Sequence, residues 1–183
     1  MPLPRKKTFL VFREAQKLGP YDERPMLPED THLQICLSRN DRPQPFFLCC
    51  EKDTLLAVFS GKGSVDFKET GALRFPFEAG DHVYVPGGAA TRIVPDGECV
   101  ILRYKAREAG IEAARFYCET CGEELYRHVF DTAKTPSQEG YLAGCTAFNN
   151  EDALRHCEGC GAEHPVIDLS PYRWQALADN LRS

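Results

Sequence analysis

Two short segments, Cys118-Glu119-Thr120-Cys121-Gly122 and Cys157-Glu158-Gly159-Cys160-Gly161, repeat one pattern: a cysteine, two other residues, a second cysteine and a glycine. Two intervening residues let the chain turn so that both thiolates face one ion. The glycine frees the backbone for the tight turn that aims amides at the sulfurs. Two such knuckles complete a tetrahedral four-sulfur site, the geometry of structural zinc or of an iron–tetrathiolate. Cys118, Cys121, Cys157 and Cys160 are therefore the expected metal ligands. A closed site of this kind holds together a small module that lacks a core of its own. Zinc is the default. Iron would allow electron transfer, but the sequence offers it no partner. His128, His156 and His164 lie near the knuckles, yet four sulfurs already fill the site, so they are expected at the surface or in support. Cys145 falls in the insert between the knuckles, with no partner at ligand spacing.

The 183 residues suffice for one core domain and a small appendage, and 43% apolar with 27% charged residues is the balance of a globular protein. A net charge of -5, with Arg5-Lys6-Lys7 as the one basic cluster, argues against nucleic-acid binding. No segment approaches the roughly 20 apolar residues of a membrane span, and Met1 to Lys7 is not followed by a signal-peptide pattern. Nine cysteines, an odd number, then read as reduced thiols in a cytoplasmic protein and not as a disulfide framework.

Phe9 to Lys17 is expected to form a short helix ending at Gly19-Pro20, followed by an acidic, Pro-rich linker from Tyr21 to Asp30. From His32 to Tyr104, short apolar and β-branched runs alternate with Gly/Pro turns. The expected strands are Leu33–Leu37, Phe46–Cys50, Leu55–Ser60, Ser64–Phe67, Leu73–Phe77, His82–Val85, Thr91–Val94 and Cys99–Tyr104. That pattern predicts an all-β sandwich or barrel. Lys105 to Ala114 is expected to be a partly helical connector. Ser170-Pro171 is a good helix start, and Trp174, Leu177 and Leu181 then share one face. The expected organisation is 1–110 for the barrel with its N-terminal helix, 111–169 for the metal module and 170–183 for a C-terminal helix.

The chain resembles the bacterial form of the 3-hydroxyanthranilate 3,4-dioxygenase family, which joins a cupin barrel to a rubredoxin-like four-cysteine module. The resemblance is most specific at Phe116 to His128 and Cys157 to Pro165, and it spans roughly residues 8–166. It implies a cupin (double-stranded β-helix, or jelly-roll) barrel and a homodimer. In this family ferrous iron is held by two histidines and a carboxylate, while two arginines and a glutamate hold the aromatic acid. Of the two cupin motifs, the second registers through Gly80 and Pro86-Gly87-Gly88, which places the histidine slot on Thr91 and the asparagine slot on Pro95. Registering the first backwards from Gly61 places the glutamate slot on Thr54 and the histidine slots on Cys50 and Leu48. Scaffold residues remain while the ligands are replaced, so no catalytic iron is expected. Arg103 falls in the glutamate slot that holds substrate. Arg42 and Arg92 fall near the two arginine slots and are candidates for clamping a carboxylate.

Three readings follow from the resemblance and these substitutions. The first is a degenerate cupin that binds a small aromatic or carboxylate ligand, or a partner. The second is a re-purposed, metal-free enzyme acting on an aromatic amino acid derivative. The third is an active ring-cleaving dioxygenase, against which Leu48, Cys50, Thr54 and Thr91 all argue. A rebuilt metal site from Cys50, His82 and Cys99 would require all three to point into the barrel.

Overall fold

The computed structural model describes residues 11–26, 32–68 and 74–182. In chain order the elements are α1 (Val11–Ala15), β1 (Arg24–Pro25), β2 (Leu33–Asn40), β3 (Phe47–Cys50), β4 (Thr54–Ser60), β5 (Lys62–Lys68), β6 (Arg74–Glu78), β7 (His82–Val85), β8 (Ala90–Pro95), β9 (Cys99–Ala106), β10 (Ile111–Tyr117), β11 (Glu124–Asp131), α2 (Ser137–Asn150), α3 (Asp152–Arg155) and α4 (Trp174–Arg182). All eight expected strands are present, most of them longer at one or both ends. Phe9, Leu10 and Leu73, which begin two expected elements, lie outside the described residues.

Two antiparallel sheets have the orders β1-β2-β9-β4-β7 and β11-β10-β3-β8-β5-β6. Within them, β2-β9-β4-β7 faces β3-β8-β5-β6, which is the eight-strand order of a jelly roll. Alternation along each strand sends one set of side chains inward. Leu48, Leu56, Val58, Val65, Ile93 and Ile101 fill the space between the sheets. The opposite face of the five-stranded sheet carries Leu37, Ala57, Val100 and Leu102, covered by Ala15 at the end of the N-terminal helix and Leu18 just after it.

The expected partly helical connector at Lys105 to Ala114 is corrected. From Ile111 the chain is a strand that pairs with β3 through Glu112↔Cys50 to Arg115↔Phe47. Every residue from Glu112 to Tyr117 is buried, with Ala114 and Phe116 in the barrel core, and pairing on both edges of the strand overrides the helical propensity of Glu-Ala-Ala. The metal module therefore begins as an extension of the barrel's own six-stranded sheet.

The insert between the knuckles holds α2. Tyr141, Cys145 and Phe148 form its fully buried stripe at spacings of four and three. Gly140 and Gly144 let it lie close against β11. A Cβ on Gly140 would come within 2.6 Å of the Phe130 ring, and one on Gly144 within 2.9 Å of His128 Cβ.

The expected helical face of the tail is corrected in part. Trp174 and Ala178 are buried and Leu177 half-buried, whereas Leu181 is 42% exposed. Trp174 packs among Phe46, Tyr141 and Tyr172.

Candidate functional site

Leu48, Cys50, Thr54 and Thr91 are all buried, and strand phase points them into the barrel. Leu48 and Thr91 are cross-strand neighbours, and the Thr91 hydroxyl lies 3.4 Å from the Leu48 carbonyl. The space beside Cys50 and Thr54 is taken up by charge.

Arg103 and Lys105, on alternate positions of β9, point inward and are 2% and 4% exposed. Arg103 Nε donates to Glu23 Oε1 at 2.6 Å, and its Nη1 donates to Thr54 Oγ1 at 3.2 Å. Lys105 Nζ reaches Glu112 Oε1 at 2.9 Å, Glu23 Oε2 at 3.4 Å and Tyr141 Oη at 3.4 Å. The Tyr141 hydroxyl donates to Glu23 and lies 3.2 Å from Glu112. Two cations thus face two carboxylates, a neutral arrangement of the only kind that tolerates such burial.

Glu23 arrives from the segment expected to be a linker. Tyr21 (φ 48°) and Glu23 (φ 43°) both sit in the left-handed region, which costs on the order of 1–3 kcal/mol for each side-chain-bearing residue. Several anchors hold that shape. Trp174 Nε1 donates to the Tyr21 carbonyl at 2.9 Å, Gln138 Nε2 to the Glu23 carbonyl at 2.7 Å, and the Gly19 amide to Asp22 Oδ2 at 2.6 Å.

The pKa directions reveal what the network is built for. Burial alone would raise Glu23, but Lys105 and Arg103 outweigh it and hold the carboxyl below its ordinary value. Burial would lower Lys105, yet Glu112 and Glu23 push it well above its ordinary value. Burial raises the Tyr141 hydroxyl, and Glu112 and Glu23 add to that. Glu23, Lys105 and Tyr141 are all moved away from neutral pH, whereas a general acid or base is tuned toward it.

A cavity of about 150 Å³ reaches the network from outside, bounded by Glu23, Cys36, Lys105, Gln138 and Leu181. Burial raises the Cys36 thiol to about 12, so it stays protonated there.

The three candidate arginines are not brought together. Arg103 is inside the barrel. Arg42 is in an exposed turn, bonded to Asp41 at 2.8 Å. Arg92 is on the outer face of the six-stranded sheet, over the Phe47 ring at 4.9 Å. His82 is exposed on the edge strand β7, opposite Ala57, and does not share the interior with Cys50 and Cys99.

The four knuckle cysteines do come together. Their sulfurs all lie within 4.8 Å of one another, with Cys118–Cys160 and Cys121–Cys157 both at 3.5 Å. A tetrahedral ion with Zn–S bonds near 2.3 Å has sulfur–sulfur edges of about 3.8 Å, so the cage fits. Gly122 (φ 81°) and Gly161 (φ 72°) take the left-handed turns, and their amides donate to the Cys118 and Cys157 carbonyls. None of His128, His156 and His164 belongs to the cage.

No family model matches this chain, and no curated protein does. Among solved structures it is similar to a hydroquinone 1,2-dioxygenase in complex with Cd²⁺ and 4-hydroxybenzonitrile, at 19% identity and a TM-score of 0.47 over 52% of this chain and 69% of that one. It is also similar to protein NMB1881 from Neisseria meningitidis, at 17% identity and 0.46 over 55% and 99% of the two chains. A cupin-2 domain protein from Shewanella frigidimarina gives 17% and 0.43 over 53% and 93%. Likenesses of this degree concern the fold alone, and the strand order decides that fold independently. It is a cupin barrel. On it, the sequence missed Glu23, Lys105, Glu112 and Tyr141. The inward phase shared by Arg103 and Lys105 on one strand was the signal that could have found Lys105.

Proposed function

We propose that this chain is a cupin-fold binding protein without ring-cleaving activity, its four-cysteine site holding a structural zinc ion. One observation carries the reading. Arg103, in the slot that holds substrate in the resembled family, is bonded by the chain's own Glu23, with Thr54 and Cys50 beside it in place of iron ligands. The direction of every pKa shift in the network supports a structural role and argues against a re-purposed acid–base enzyme in the barrel. The 150 Å³ cavity beside Lys105 is the proposed ligand position. A cavity of about this volume accommodates a single aromatic ring.

The test uses the full chain purified without added metal. Metal analysis is expected to give one ion per chain, and oxygen uptake with 3-hydroxyanthranilate is expected to stay at the buffer rate. Within a panel of single-ring carboxylates, one is expected to raise the thermal midpoint, because it binds the folded state alone. A second ion together with oxygen uptake would sink the proposal.

A further inference from the structure

The two knuckle loops are themselves acidic. Residues 118–123 and 157–163 contain Glu119, Glu123, Glu158 and Glu163, and no lysine or arginine. Four thiolates around a divalent ion carry a net charge of two minus. An anionic cluster inside anionic loops needs cations from elsewhere, and the barrel presents them. Lys68, at the end of β5, and Arg92, on β8, border a cavity of about 190 Å³ whose other walls include Tyr117, Cys118, Glu119 and Gly122. Lys68 Nζ stands over the Tyr117 ring at 4.9 Å and the Phe47 ring at 5.3 Å, within 3.4 Å of where a Cβ on Gly122 would lie. Gly122 directly follows the ligand Cys121. Arg92 covers Phe47, and its carboxylate partner Asp66 is 3.7 Å away and already bonded by Arg74 at 2.8 Å. Phe47 and Tyr117, edge to face at 5.1 Å, form an aromatic floor on which both cations stand beside the first knuckle.

We propose that Lys68 and Arg92 are positioning residues for the metal centre. The barrel supplies the positive charge that offsets the tetrathiolate, so the affinity of the module for its ion depends on two barrel strands. Neither residue touches the ion. Each acts through the field at the first knuckle, as charged and hydrogen-bonding neighbours of metal ligands generally do.

The proposal rests on the four cysteines holding a divalent ion, and its test separates the two. Zinc affinity of the full chain is measured by competition with a chromophoric chelator for the unsubstituted protein, Lys68→Gln, Arg92→Gln, Lys68→Arg and Lys134→Gln. Lys134 is an exposed lysine paired with Asp131. Lys68→Gln and Arg92→Gln are each expected to weaken zinc binding about tenfold with one ion still bound at saturation. Lys68→Arg should stay near the unsubstituted value, and Lys134→Gln should not change it. Equal affinities across the set, with one ion bound in each, would overturn the positioning role and leave the metal site standing. Absence of zinc from the unsubstituted protein would overturn both. Far-ultraviolet circular dichroism of the loaded variants confirms that the fold is intact.

Discussion

Arg103 and Glu23 illustrate how a buried ion pair acts on stability. Taking both charges out of water offsets much of their attraction, so the intact pair is worth little over an apolar replacement. Removing one member is different, because the other stays buried and unpaired. Glu23→Gln leaves Arg103 and Lys105 facing one carboxylate. It is expected to lower unfolding free energy by about 3 kcal/mol at neutral pH, read by denaturant titration. The sign of the pH dependence follows from the direction of the shift. Glu23 is held below its ordinary value, so its contribution is present above an unfolded carboxyl pKa of about 4.3 and lost as pH falls through the folded value. The stability gap between the unsubstituted protein and Glu23→Gln should therefore narrow as pH falls from about 4.3 toward the folded value. A gap that stays constant to pH 3 would show that the charge of Glu23 contributes nothing. Lys105 has the opposite sign. Its value is raised, so its contribution is full below about pH 10.4 and fades only as pH climbs through the folded value.

At the scale of elements, α2 shows a local preference overruled by packing. Alanine is favoured over glycine in a helix by about 1 kcal/mol, so Gly140→Ala would help an isolated helix. In this chain the added carbon meets the Phe130 ring at 2.6 Å, and that ring is itself set edge-on against Tyr141. Forced overpacking of this kind costs about 1–3 kcal/mol. The substitution is expected to destabilise the protein, and a rise in thermal midpoint would contradict the packing argument. The same two glycines explain why the helix was hard to read. Gly140 and Gly144 weaken the helical pattern of 137–150, and only the Tyr141, Cys145, Phe148 stripe betrays it. The barrel strands were legible because each is a short apolar or β-branched run bounded by its own turn, as Leu55–Ser60 and His82–Val85 are. The four-cysteine cage was legible because spacing alone defines it. The charged core was not, because Glu23, Arg103, Glu112 and Tyr141 come from four separate segments, and long-range pairing leaves no local trace. The apolar run from Cys99 indicated that Arg103 lay on a strand but could not indicate that the left-handed segment 21–23 would bring a carboxylate to it.

The whole molecule couples the barrel to the metal cage through shared strands. The expected division at residue 110 would let chelation unfold the cage while the barrel melted at its former temperature. The pairing of β10 with β3 runs against that separation, and so does the Phe47–Tyr117 contact across it. Helix α2, between the two knuckles, also buries Tyr141 against Phe46 in the barrel and gives its hydroxyl to the charge network. An ion that binds only the folded cage stabilises whatever unfolds together with it, by RT ln(1 + L/Kd) with L the free ion concentration. Chelation, or Cys118→Ser, is therefore expected to shift the main calorimetric transition of the full chain downward as one cooperative peak. If a barrel transition persisted at the metal-loaded temperature beside a lower, smaller one, the cage would be an independent unit. Its ion would then do nothing for the segment that carries Glu23 or for the charge network.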